Sequence, residues 1–170
     1  PHVFGDEVIN NAAEQIVAWE KSKLHKEGKK SAIDGVPRQL PALIRAHRIQ
    51  GKAAAVGFDW AETAPVWEKL QEEIAELKQA VALGDKDRTE EELGDLLFTL
   101  VNLSRFIDVH PEDALRRTID KFERRFREIE SVFAERGVAL SEATLEEMDR
   151  VWDAVKMRER QPAASNNGLS

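Results

Sequence analysis

The sequence predicts an all-α protein, and three observations carry that reading. Charged residues make up 34% of the chain amid abundant Ala, Leu and Glu; nine glycines and six prolines are few for 170 residues. Regular apolar–polar alternation of the kind a half-buried strand needs is hard to find anywhere. The length suits one domain, or one with appendages, and is enough to bury a real core. There is no cysteine, which removes disulfides, thiolate catalysis and thiolate-bound zinc together and is compatible with a reducing cytoplasm. No apolar run approaches the roughly 20 residues that span a bilayer, and no signal-peptide pattern opens the chain, so a soluble cytoplasmic protein without a membrane partner is expected. The net charge of −7 argues against non-specific nucleic-acid binding, while leaving room for an anionic substrate whose charge is met by metal ions. The chain begins at Pro1 without a methionine, which suggests a processed or partial chain with something upstream.

Taken in order, the first element is an amphipathic helix from about Asp6 to Leu24, with Val8, Ile9, Ala12, Ile16 and Trp19 at three- and four-residue steps. Residues 26–38 (KEGKKSAIDGVPR) mix glycine, proline and a basic run and form a linker. Pro41 then falls where a first-turn proline is tolerated, and Leu40, Leu43, Ile44, Ile49, Ala53 and Val56 continue as a helix that Gly57 stops. Phe58-Asp59-Trp60 follows as an aromatic turn expected to pack into a corner of the fold. The next helix, about Pro65 to Leu83, has an apolar stripe of Val66, Leu70, Ile74, Leu77 and Val81. Helical arithmetic puts Glu73 about 60° and Glu76 about 120° from the centre of that stripe, so both flank the core, while Glu72 points nearly away.

The helix from about Arg88 to Ile107 is apolar nearly all round and is expected to be buried. Yet Glu92, Asp95, Thr99 and Asn102 fall on one stripe spanning about 80°. Carboxylates buried without partners would cost several kcal/mol each, so cations or basic side chains must meet them. After His110, a further helix opens with Pro111 in its first turn and Glu112 and Asp113 at the positive end of its dipole. It directs Leu115, Ile119, Phe122, Phe126, Ile129 and Phe133 inward, and Lys121 and Arg125 form a basic pair on the flank of that stripe, with Arg124 and Glu128 nearby. A last helix from about Thr144 to Lys156 holds Leu145, Met148, Val151, Trp152 and Val155, and the residues beyond about Arg160 read as a disordered tail.

Two acidic clusters, Glu72-Glu73-Ile74-Ala75-Glu76 and Glu91-Glu92-Leu93-Gly94-Asp95, face each other across one short turn. Glu73, Glu76, Glu92 and Asp95 are four carboxylates, two from each antiparallel neighbour at i, i+3 spacing, an oxygen-only set of the kind magnesium or manganese prefers. Zinc would want Cys or His. The histidines are scattered at positions 2, 25, 47 and 110, and no Glu-x-x-His pattern supports a di-iron site. Neither a Walker nor a dinucleotide glycine motif is present, so phosphates would have to be held by metal and basic side chains. An acidic pair on a helix is commonly a solvated, salt-bridged face, and Lys121 and Arg125 could be its structural partners. A phosphate lying between metal and cations would use both sets at once.

The order Glu-Glu-x-x-Glu at 72–76, then Glu-x-x-Asp at 92–95, resembles the signature of the MazG family, all-α nucleoside triphosphate pyrophosphohydrolases. The resemblance extends through SAIDGVP at 31–37, LPAL at 40–43, KAAAVGFDW at 52–60, ELGDLLF at 92–98 and KFERRF at 121–126. It implies a MazG-like helical bundle packing as a homodimer, with residues 31–157 as the catalytic domain, residues 1–30 as the end of an upstream repeat and connector, and residues 158–170 as a disordered tail. It further implies magnesium, with manganese as a substitute, on Glu73, Glu76, Glu92 and Asp95, and Glu72 as an outer helper. Lys121 and Arg125 match positions that contact the triphosphate, Trp152 and Lys156 match positions near the nucleotide, and the stripe bearing Asn102 makes that residue a sugar or base contact. The expected reaction is hydrolysis of ribo- and deoxyribonucleoside triphosphates between the α and β phosphates. A narrower dUTP or dCTP pyrophosphatase, and a non-enzymatic helical dimerisation module, are the alternatives.

Overall fold

Helix and loop make up the structure, a computed structural model that describes residues 15–19, 22, 28 and 31–161, and no strand occurs among the described residues. Residues 15–19 and 22 are helical, within the first amphipathic stretch; the other residues of that stretch, residues 26, 27, 29 and 30 of the linker and residues 162–170 lie outside the described residues. The chain divides into two compact units, Pro1–Glu112 and Asp113–Ser170.

In the first unit, α1 (Ala42–Ala55) starts directly after Pro41, whose φ of −49° is already set for a helical turn. Gly57 ends this segment with φ +94°, a conformation that costs glycine little and a side-chain-bearing residue much. α2 (Ala64–Leu83) carries proline in its first turn and closes on Gly84, whose φ of +68° is left-handed. A Cβ at Gly84 would meet open space, so the backbone conformation, not crowding, asks for glycine there. Asp85 immediately caps α3 (Lys86–Phe106), its Oδ1 accepting the Arg88 N–H at 3.1 Å. A connection this short sets α2 and α3 side by side and antiparallel. α1 packs on α3 as well, so α3 has neighbours on two sides.

The second unit holds most of α4 (Pro111–Glu135), a 3₁₀ turn at Leu140–Glu142, and α5 (Leu145–Arg160). Its core is Ile129 and Phe133 of α4 against Val151 and Val155 of α5, with Val138, Leu140 and Met148 packed around them. Thr144 and Glu147 form a reciprocal capping box that starts α5. α5 continues to Arg160, so residues 158–160, expected in the tail, are helical. Arg158 donates to Glu128 at 2.8 Å, and Arg158 and Arg160 suit the negative end of the helix dipole.

Three expectations about burial are corrected. On α3, Val101–Ser104 are buried all round, but further towards its N-terminus Leu93, Leu97, Phe98 and Leu100 are exposed while Glu92 and Thr99 are buried. The polar stripe thus turns inward at Glu92, Thr99 and Asn102 while Asp95 is exposed, and no described residue fully covers the apolar face. On α4, Leu115, Ile119, Phe122 and Phe126 are exposed, because the buried core made with the 3₁₀ turn and α5 closes around Ile129 and Phe133, and of these four only Phe122 has a ring contact with α5, at Trp152. The Phe58–Trp60 turn does not bury its rings: Phe58 is 83% exposed and Trp60 41%.

Candidate active site

The short α2–α3 link decides which carboxylates meet. Ligand oxygens of Glu73, Glu92 and Asp95 all lie within 4.8 Å of one another. Glu73 and Glu92 are buried and Asp95 is exposed, so the trio opens to solvent on the Asp95 side. Glu76, one turn beyond Glu73, is half-buried and stands outside this tight trio. Its carboxyl is nevertheless pushed above the usual range, first by desolvation and then by the charges of Glu92, Glu73 and Glu72. Glu72 is solvent-facing, in keeping with its position on the helix.

Two basic side chains meet the buried acids. Lys69 Nζ lies 2.5 Å from Glu73 Oε1 and 3.1 Å from Glu72 Oε1, and Arg88 Nε lies 3.3 Å from Glu92 Oε1. The hydrogen bond to Glu73, followed by the one to Glu72, holds the Lys69 ammonium well above the usual lysine range. Glu73 Oε2 has no partner although it is buried. A carboxylate-only donor set with one orphaned buried oxygen fits a hard divalent cation, which the sequence pattern anticipates.

Beside the trio, a cavity of about 660 Å³ is bounded by Gln50 and Ala53 of α1, Phe58, Asp59 and Trp60 of the following loop, Lys69 and Glu73 of α2, and Asp95, Phe98, Thr99, Asn102 and Arg105 of α3. That is the size of a small-molecule pocket, apolar with a few converging polar groups. Arg105 fastens the loop to α3, donating to Asn102 Oδ1 at 2.6 Å and to Asp59 Oδ2 at 2.7 Å. A guanidinium can only donate, so the Asn102 amide turns its oxygen to Arg105 and keeps its NH₂ for another acceptor. Gln50 is bound the other way. Its Nε2 donates to the Phe98 carbonyl at 2.8 Å, and its Oε1 is buried without a partner.

The remaining predicted site residues belong to the second unit. Arg125 donates through Nε and Nη2 to Glu159 Oε2 at 3.0 and 2.6 Å, and its guanidinium lies 5.4 Å from the centre of the Trp152 ring. Arg124 grips the other oxygen of the same carboxylate. Hydrogen bonds from Arg125 and then Arg124 bring the Glu159 pKa down to about 2. Phe122 stands 5.5 Å from Trp152, ring to ring, and 5.9 Å from Phe126. Lys121 is exposed on α4 and Lys156 half-buried on α5.

Sequence reasoning missed Lys69, Arg88, Gln50, Arg105 and Glu159. For the first two a signal was present: each stands four residues before a buried glutamate on its own helix, where i, i+4 side chains touch. Arg105 and Glu159 owe their roles to partners 46 and 34–35 residues away, which no local pattern reveals.

Comparison with known proteins adds to this geometry. Residues 63–129, which contain all three trio carboxylates, match the MazG nucleotide pyrophosphohydrolase domain. Over 166 residues the chain is 46% identical to the nucleoside triphosphate pyrophosphohydrolase of Escherichia coli (strain K12), covering 94% of this chain and 62% of that protein. Over 158 residues it is 44% identical to the nucleoside triphosphate pyrophosphohydrolase/pyrophosphatase MazG of Thermotoga maritima, covering 92% of this chain and 59% of that one. It is also 42% identical over 163 residues to the YabN protein of Bacillus subtilis (strain 168), of which it covers 33%. The chain thus spans about three fifths of the length of the first two relatives. Residues 63–129 thus carry a MazG domain, and along nearly its whole length the chain is similar to proteins that bear the pyrophosphohydrolase activity in their names.

Proposed function

We propose that this chain hydrolyses nucleoside triphosphates, ribo and deoxy, between the α and β phosphates, giving the monophosphate and pyrophosphate. The observation that carries the reading is the convergence of Glu73, Glu92 and Asp95 within 4.8 Å beside a nucleotide-sized cavity. In this reading those three, with Glu76 at their edge, hold magnesium or, as a substitute, manganese. When bound, the ion would supply Lewis-acid polarisation of the phosphate oxygens and would lower the pKa of a water molecule, so that losing a proton makes it a better nucleophile. Glu76 positions the attacking water. The Asn102 NH₂ and the apolar wall of Phe58, Trp60 and Phe98 receive the nucleoside. Lys121 and Arg125 neutralise phosphate charge, a role supported by the two N–H groups that Arg125 already directs at one carboxylate oxygen of Glu159. Trp152 and Lys156 meet the nucleotide from α5, and residues 31–157 form the catalytic domain. The exposed Leu93, Leu97 and Leu100 on α3 support a homodimer that covers them. No helix among the described residues is long and apolar enough to cross a membrane.

Product analysis by ³¹P NMR after incubation with magnesium and each of the ribo- and deoxyribonucleoside triphosphates, dUTP included, tests the proposal. Monophosphate and pyrophosphate from many of them are expected. Diphosphate and inorganic phosphate would contradict the cleavage site, and one strongly preferred pyrimidine would contradict the broad substrate range. No pyrophosphate and no metal-dependent thermal shift would leave a helical dimerisation module.

A further inference from the structure

The two buried carboxylates of the trio share a construction. Each has a basic side chain one helical turn earlier on its own helix, and each is touched by it on one oxygen: Lys69 on Glu73 Oε1 at 2.5 Å, Arg88 on Glu92 Oε1 at 3.3 Å. The Glu73 side chain is only 4% exposed, and its Oε2 is buried with no partner. A carboxylate that gives one oxygen to an ammonium is held in one orientation. The other oxygen is then the place left for a second cation.

We propose that Lys69, seconded by Arg88 on α3, is a positioning residue for the divalent-metal site: it fixes the Glu73 carboxylate so that Oε2 is presented to the ion. This rests on reading the trio as a metal site. Two effects of removing Lys69 oppose each other. Losing a positive charge would by itself tighten cation binding, but the Lys69 side chain is 35% exposed and solvent screens that charge. Losing the bond to a carboxylate that water scarcely reaches lets Glu73 turn and leaves both its oxygens without a fixed direction. The orienting effect therefore wins, and the sign of the change in metal affinity separates a positioning lysine from a mere counter-charge.

The test is titration of the full chain with Mn²⁺, free ion followed by electron paramagnetic resonance, alongside thermal melts without metal. Lys69→Met should weaken Mn²⁺ binding about 10–100-fold, the usual range for loss of a group that orients a metal ligand. Lys69→Arg should recover most of the affinity, and Arg88→Met should shift it the same way but less, because its contact is longer. Binding by Lys69→Met as tight as or tighter than wild type would overturn the proposal. Wild-type protein that takes up no Mn²⁺ would instead overturn the metal reading itself. If Lys69→Met does not melt cooperatively, Arg88→Met carries the same test, with unweakened binding as the contrary result.

Discussion

Glu73→Gln and Asp95→Asn should each lower kcat/KM for nucleoside triphosphate hydrolysis by at least about 10²–10³-fold, the scale seen when one electrostatic stabiliser of a developing charge is removed. Both substitutions keep the size and shape of the side chain and delete one negative charge. Stability should move by no more than about 1 kcal/mol, roughly 2–4 °C in Tm for a chain of this size. Two opposing terms produce that near-balance. Glu73→Gln breaks the contact with Lys69, but Lys69 keeps Glu72 within 3.1 Å and is part-exposed to water. The same change relieves repulsion among Glu73, Glu92 and Asp95, which no metal then offsets. Asp95 is exposed, so Asp95→Asn disturbs packing less still. Pyrophosphate release at saturating magnesium, with circular dichroism melts, measures both quantities. Retained activity in both variants would remove the proposed metal site.

Phe133→Ala should destabilise the fold by about 3–5 kcal/mol, the usual cost of truncating a buried phenylalanine. Phe133 is 2% exposed and sits with Ile129, Val151 and Val155 in the core of the second unit. Such a loss is a large share of the roughly 5–15 kcal/mol by which most folded domains are stable. Phe122→Ala on the same apolar stripe should cost clearly less, since Phe122 is 54% exposed and keeps contact only along Phe126 and Trp152 among the aromatics. Denaturant unfolding of the two variants gives the comparison. Equal losses would mean that the N-terminal part of the α4 stripe is as well covered as its end.

These outcomes trace how far the chain could be read without its structure. Helix positions were legible because their punctuation is chemical and local: Pro41, Gly57 and Pro111 all act within a turn of where they stand. Glu73 was legible too, since helical spacing alone placed it beside the core and Glu72 away from it. What stayed hidden depends on contacts distant in sequence. The leucines of α3 form an apolar face, but no pattern within one chain says whether that face meets another helix of the same chain or a separate molecule. Phe58 and Trp60 have the composition of a packed corner, and only the tie between Asp59 and Arg105 shows their loop standing at a cavity rim. The cations for the buried acids were sought on α4, whereas the structure finds them on the same helices as the acids, at a spacing the sequence displays plainly.

The central claim is that Glu73, Glu92 and Asp95 together bind a divalent cation, and calorimetric titration of Mg²⁺ and Mn²⁺ into wild type and Glu92→Gln tests it most directly. Saturable binding by the wild type that is lost or sharply weakened in Glu92→Gln is the predicted result. Absence of binding by the wild type, or equal binding by the two proteins, would contradict it.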